Sequence, residues 1–224
     1  MSQKINILST KTLSKDLINI LPTSNFNTLS IDFIQINTIP FDKTEILNSS
    51  NHWIISSKNT LSVLFDTYSL EDLTHINFYC VGDKTSKIIK SNNLKLITSA
   101  LSSAELAQDI VDNHNQTNFT FIGGEMRRKE LVRILKNRAI QLNEYNVYST
   151  SLFPCEIELK YNGILFFSPS AVQSYVLKNT ITTEQLFCIG NTTANEAKQY
   201  STNINIAQNQ TIESVIELVK THYK

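Results

Sequence analysis

The sequence has no excess of either charge: Lys and Arg total 20, and Asp and Glu total 20, in 224 residues. A general nucleic-acid or membrane-surface binder normally carries a basic surplus, so neither partner is expected. Apolar runs such as "GILFF" and "WII" fall far short of the ~20 residues that span a membrane. Cysteine is scarce. Cys80, Cys155 and Cys188 are odd in number and form no CxxC. Two of them lie inside apolar, strand-like runs, as reduced packing residues do in a reducing compartment. His52, His75, His114 and His222 lie far apart and beside no cysteine, which leaves no sequence case for a metal site. The P-loop pattern is absent, and Gly123-Gly124 lacks the third glycine of a dinucleotide fingerprint. No Ser/His/Asp or Cys/His arrangement stands out. Neither metal nor cofactor is expected, and any catalysis would work by positioning and hydrogen bonding. The start "MSQKINILST" has no charged-then-apolar signal pattern, so a cytoplasmic protein is expected.

What the sequence does contain is a repeat. "FYCVGDKTSKII" from Phe78 and "LFCIGNTTANEA" from Leu186 share an aromatic-Cys-aliphatic-Gly-x-x-Thr core. A shift of about 108 carries Cys80 to Cys188, Gly82 to Gly190, Thr85 to Thr193, Leu96 to Ile204, Glu105 to Glu213 and Val111 to Val219, with no gap. Upstream, "WIISSKNTLSVL" resembles "ILFFSPSAVQSY", and "INILSTKTLSKDLINIL" parallels "FTFIGGEMRRKELVRIL". The chain therefore reads as two tandem copies of one βα series. A repeat of about 110 residues is domain-sized, not a solenoid unit. The length suits one large domain or two small α/β domains.

Within each copy, short apolar runs alternate with helical patterns. Strands are expected over residues 5–8, 29–36, 53–56, 78–81 and 94–98, then 119–122, 141–148, 163–167, 186–189 and 203–207. Runs this short, rich in Ile, Val, Phe and Tyr, suit strands covered on both faces. "TLSKDLINIL", "KELVRILKNRA" and "TIESVIELVKTHY" place apolar residues three and four apart, as amphipathic helices do. Ser102 to Glu105 and Thr193 to Glu196 have the capping-box pattern of helix starts. Alternating strands and helices imply parallel sheets with right-handed crossovers. The expected class is α/β, with two similar sheets of about five strands each.

Ligands of such sheets bind beyond the carboxyl ends of the strands. The candidate residues there are Ser56, Ser57, Lys58 and Asn59; Gly82 to Thr85; Gly123 and Gly124; Ser168, Pro169 and Ser170; and Gly190 to Thr193. Glycine permits a tight turn, and Ser or Thr caps the next helix while presenting a hydroxyl. Free N–H groups at helix starts favour anions. Two matched sets would suit a ligand with many carboxylates or phosphates, although each Gly-x-x-Thr also reads as an ordinary helix cap. Arg127, Arg128, Lys129, Arg133, Lys136 and Arg138 make the one dense basic helix. It reads either as a solvated face or as an attractor for a polyanion.

Taken in order, "ILSTK", "ISSKNT", "CVGDKT", "FIGGEMRRKEL", "VYST", "FFSPSAV" and "CIGNTTA" resemble the uroporphyrinogen-III synthase family nearly end to end. The resemblance implies two interleaved domains. One takes residues 1–36 and 150–224, the other residues 40–147. The crossing segments, about 36–40 and 148–152, form a two-part hinge. It implies closure of hydroxymethylbilane, a linear tetrapyrrole with eight carboxylates, to uroporphyrinogen III, with loss of water and inversion of ring D. It implies no cofactor and no metal, a small polycarboxylate substrate, and no nucleic-acid or membrane partner; a monomer is expected. Substrate contacts are implied for Thr10, Ser57, Lys58, Asn59, Thr85, Gly123, Gly124, Ser168, Pro169, Ser170, Thr192 and Thr193, gathered around an interdomain cleft. Tyr148, within "VYST", is implied as the catalytic group assisting departure of the hydroxyl. The alternatives are a non-catalytic, bilobed regulatory protein that binds an anionic small molecule, and a periplasmic-type binding protein. The lack of a signal pattern counts against the second.

Overall fold

The computed structural model describes residues 4–115, 117–126 and 129–224. The chain divides into two compact units. It leaves the first between Gln35 and Ile36 and returns to it between Thr150 and Ser151. In the first unit, β1 (Ile5–Ser9) leads through α1 (Lys15–Ile18) to β2 (Phe26–Ser30), and β3 (Ile34–Thr38) carries the chain out. The second unit contains α2 (Lys43–Ser49), β4 (His52–Ile55), α3 (Lys58–Thr67), β5 (Asn77–Val81), α4 (Asp83–Ser91) and β6 (Lys95–Ala100). It continues with α5 (Ser103–Asn113), β7 (Phe119–Gly124) and α6 (Glu130–Asn137), and β8 (Leu142–Leu152) leads back. The first unit is completed by β9 (Gly163–Phe166), α7 (Pro169–Val176), β10 (Gln185–Cys188), α8 (Asn191–Ala197), β11 (Ile204–Ile206) and α9 (Ile212–His222).

The first sheet has the order β11-β10-β9-β1-β2 and the second the order β3-β8-β7-β4-β5-β6. Neighbours among β1, β2, β9, β10 and β11, and among β4 to β8, pair in parallel. Read from one edge, β11-β10-β9-β1-β2 corresponds strand for strand to β6-β5-β4-β7-β8. The shift that relates Cys80 to Cys188 therefore relates equivalent strands in the two sheets. The expected α/β class with two similar parallel sheets holds, and β3 adds a sixth strand to one of them.

Both faces of each sheet are covered, which explains the unbroken apolar runs of the central strands. In the second unit, Trp53, Ile55, Phe78 and Cys80 pack with Ile46, Leu61, Leu64 and Ile89 of α2, α3 and α4. On the opposite face, Ile54, Tyr79, Phe119 and Phe121 meet Leu106 and Ile110 of α5 and Leu131 and Leu135 of α6. In the first unit, Leu8, Ile164, Phe166 and Leu186 pack with Val172 and Tyr175 of α7 and Ala194 of α8. Ile7, Leu165 and Phe187 pack with Val215, Ile216 and Val219 of α9 on the other face. Among the described residues no helix is long and apolar enough to cross a membrane.

Three local expectations need correction. The strand expected over 29–36 is two strands, β2 and β3, in different sheets. The chain turns between them because Asp32 accepts the backbone N–H (3.0 Å) and hydroxyl (2.7 Å) of Thr12, while Phe33 is buried against Tyr175. The helix expected over "TLSKDLINIL" is only the four residues of α1. It stops short of Pro22, and a residue before proline is disfavoured in helix. The capping box expected at Thr193 is not a helix start, because α8 begins at Asn191 with Gly190 in the cap position. At Ser102 half of the box forms: its hydroxyl accepts the Glu105 N–H at 3.2 Å, but the Glu105 carboxylate takes the N–H of Leu101, at 3.1 Å, in place of that of the cap residue itself.

Candidate functional site

In open α/β sheets the binding crevice lies at the carboxyl ends, where the strand order reverses. In the second unit that point falls between β7 and β4, since β7 continues to β8 and β4 to β5 on opposite sides. A cavity of about 260 Å³ opens there, lined by Ser56, Ser57, Val81, Ser103, Phe121, Leu131 and Tyr148. Ser57 caps α3 in extended backbone, and its Oγ accepts the N–H of Asn59 at 3.2 Å. The cap occupies a lone pair and leaves the hydroxyl proton to be donated. Lys58 is exposed and Asn59 half-buried in the first turn of α3. Gly123 and Gly124 are buried at the end of β7, and Tyr148 of β8 is half-buried beside them.

In the first unit the reversal falls between β1 and β9. Ser168 there repeats the role of Ser57: it caps α7 in extended backbone, and its Oγ accepts the N–H of Ala171 at 3.1 Å. Pro169 opens α7, where its missing N–H deprives the helix of nothing. Ser170 is half-buried and Thr192 exposed. Thr10 ties β1 to β9: both its N–H (3.1 Å) and its hydroxyl (2.7 Å) donate to the carbonyl of Leu165.

Thr85 and Thr193 sit differently from the expectation. Each is the third residue of its helix, and they are 4% and 1% exposed. The side chains turned outward in those first turns are Asp83 and Lys84, and Asn191 and Thr192. The two repeated glycines differ as well. Gly82 has φ +91°, a conformation that L side chains rarely adopt, whereas Gly190 is extended, and a Cβ there would first meet the Gln210 side chain at 3.4 Å, an ordinary contact. We expect Gly82→Ala to destabilise the second unit by about 1–3 kcal/mol, and Gly190→Ala to cost within about 0.5 kcal/mol. Denaturant unfolding of both variants checks this; equal losses would refute the distinction.

Of the basic helix, Arg127 and Arg128 lie outside the described residues. Lys129 and Arg133 line a cavity of about 570 Å³ with Glu125, Val132, Lys136, Glu144 and Asn146. Lys136 is paired with Glu144 at 2.6 Å. Cys80 and Cys188 are buried packing residues, and burial pushes their thiols up to about 11 and about 12, which keeps them protonated and unreactive. Among the described residues, no group of three His, Cys, Asp or Glu side chains gathers to hold a metal ion.

The cavity of the second unit thus brings Ser57 together with Tyr148 and, through contact with Tyr148, Gly124. It does not include Thr85. The wall residues that the sequence reading left without a role in binding include Ser103, read there only as part of a cap. Ser102 is the cap that matches Ser57, and Ser103 is the first residue of α5, where α3 has Lys58, so the rule of a capping hydroxyl after a strand points to its neighbour and not to Ser103.

A family model described as uroporphyrinogen-III synthase HemD matches residues 21–217. The porphyrin biosynthesis protein HemD of Ruminiclostridium josui is 27% identical over 187 residues, 74% of this chain and 37% of that protein. The chain thus spans little more than a third of the length of that relative. Among solved structures, the uroporphyrinogen-III synthetase of Helicobacter pylori 26695 aligns with a TM-score of 0.76 and 18% identity, over 97% of this chain and 99% of that one. A mutant uroporphyrinogen III synthase of the extremely thermophilic bacterium Thermus thermophilus aligns with a TM-score of 0.61 and 11% identity, over 97% and 98% of the two chains. At these identities the two structures speak for the fold. The family match covers most of the chain and includes Ser57, Tyr148 and Ser168, and this chain belongs to the uroporphyrinogen-III synthase family.

Proposed function

We propose that this chain closes hydroxymethylbilane to uroporphyrinogen III, with loss of water and inversion of ring D. The observation that carries the reading is the cavity at the strand-order reversal of the second sheet, where the phenol of Tyr148 and the capping hydroxyl of Ser57 line one space. Tyr148 hydrogen-bonds the departing hydroxyl and passes it a proton, so that it leaves as water. The pyrrole that carried it becomes an azafulvene-type cation. Ring D attacks that carbon through its own substituted position and forms a spiro intermediate, which reopens and closes with ring D inverted. The last proton lost from ring D restores the phenol. The enzyme's task is to hold a flexible anion in the fold that favours this route, which is a problem of orientation.

The hydroxyls of Ser57 and Ser168, with the polar first turns that contain Lys58, Asn59, Ser170 and Thr192, supply donors for the substrate's carboxylates. Charge-assisted hydrogen bonds of this kind are the strong ones. The N–H groups of the first turns add to them. No cofactor or metal takes part in this reading, and the protein works as a cytoplasmic monomer.

The test is to incubate the purified protein with freshly made hydroxymethylbilane and separate the isomers. The expected product is the inverted isomer III, in excess over the uninverted isomer formed spontaneously. The isomer ratio of buffer alone would sink the proposal and leave a binder of anionic ligands.

A further inference from the structure

β7 and β8 run in register with Ile122 opposite Tyr145 and Gly123 opposite Asn146, but Gly124 lies opposite Tyr148. Val147 is therefore an extra residue on β8, a bulge of the kind that re-aims a side chain. Successive side chains of a regular strand point to opposite faces. Here Val147 and Tyr148, consecutive in sequence, both pack against the core that also holds Tyr145. The bulge brings the phenol over the end of the sheet, where it lines the cavity with Ser56 and Ser57.

Gly124 makes room for it. A Cβ at this position would stand 2.5 Å from Cε2 and Cζ of Tyr148 and 3.0 Å from its hydroxyl oxygen. Carbon atoms do not approach so closely, so one group must yield. The backbone of Tyr148 is tied by the N–H of Glu125, which donates to its carbonyl at 3.0 Å. The ring is then the part that moves, and its hydroxyl moves with it.

We propose that Gly124 is a positioning residue for Tyr148: its lack of a side chain reserves the space in which the phenol is held, and the Val147 bulge aims the ring into it. This rests on the reading of Tyr148 as the proton donor.

The test is Gly124→Ala, with kcat and KM measured for formation of the inverted isomer. A misplacement near 1 Å can cost about 100-fold, so kcat should fall by about 10- to 100-fold with KM nearly unchanged. In a Tyr148→Ala background no ring remains to be displaced, and adding Gly124→Ala should cost nothing further. Wild-type kcat in Gly124→Ala, beside a slowed Tyr148→Phe, would overturn this proposal alone. Undiminished turnover in Tyr148→Phe would overturn both readings. The same loss from Gly124→Ala in both backgrounds would show general damage and also overturn the proposal. Should Gly124→Ala fail to fold, the double variant decides. Folding restored by Tyr148→Ala supports the collision with the ring, and a double variant that stays unfolded refutes it.

Discussion

Tyr148→Phe is expected to keep the fold and to lose about 10- to 1000-fold in turnover to the inverted isomer, at or below the usual range of general acid catalysis. The substitution removes one oxygen and keeps the ring. The ring's contacts with Gly124 and with the apolar core of the second unit therefore survive. What is lost is the donor at the wall of the cavity. The phenol O–H is a hydrogen-bond donor, so it can donate to a departing hydroxyl. The loss is bounded because an electron-rich pyrrole already favours expulsion of that hydroxyl. The acid need supply only part of the barrier, about 1.4–4 kcal/mol for the stated range. The measurement is single-isomer turnover by a variant whose circular dichroism and unfolding midpoint match the parent. Undiminished turnover would reduce Tyr148 to a packing residue.

Some of this architecture is legible in the sequence because the forces that set it are local or strictly periodic. Trp53-Ile54-Ile55 and Leu186-Phe187-Cys188 read as strands because helices cover both of their faces, which leaves no polar alternation. Ser57 and Ser168 read as caps because capping is settled within three residues. Other features depend on contacts between distant segments. Leu29, Ile31 and Phe33 alternate, and Ile34 and Ile36 resume one position out of phase; the slip marks an irregularity, but that the chain leaves one sheet for another there depends on the distant partners Thr12 and Tyr175. Gly82-x-x-Thr85 and Gly190-x-x-Thr193 look alike as text, yet only Gly82 adopts positive φ. The burial of both threonines follows from where each helix begins against its sheet. Gly124 reads as a ligand-side glycine. Its contact with Tyr148 depends on a bulge in a ladder that sequence spacing does not reveal.

The second large effect concerns stability: Trp53→Ala is expected to cost about 3–5 kcal/mol. Trp53, the only tryptophan of the chain, is 0% exposed. Its indole N–H donates to the carbonyl of Ser50 at 2.8 Å. Its ring meets Phe78 edge-on at 6.0 Å and Tyr68 at 5.8 Å. Truncation removes the buried aromatic surface, forfeits aromatic pairs of about 0.5–1.5 kcal/mol each, and leaves a carbonyl without its donor. A cavity remains because β4 is held between β5 and β7 and cannot collapse into it freely. Domains of this size are commonly stable by about 5–15 kcal/mol, so a large share of the margin of the second unit is at stake. The same strand leads into Ser56 and Ser57, and loss of its anchor should lower turnover in proportion to the unfolded fraction. Denaturant unfolding followed by circular dichroism measures the effect, since the variant has no indole to report fluorescence. Leu101→Ala is the control. Leu101 is 74% exposed, and its truncation should stay within about 0.5 kcal/mol. A Trp53→Ala midpoint as close to the parent as that of the control would show that this core does not depend on the indole.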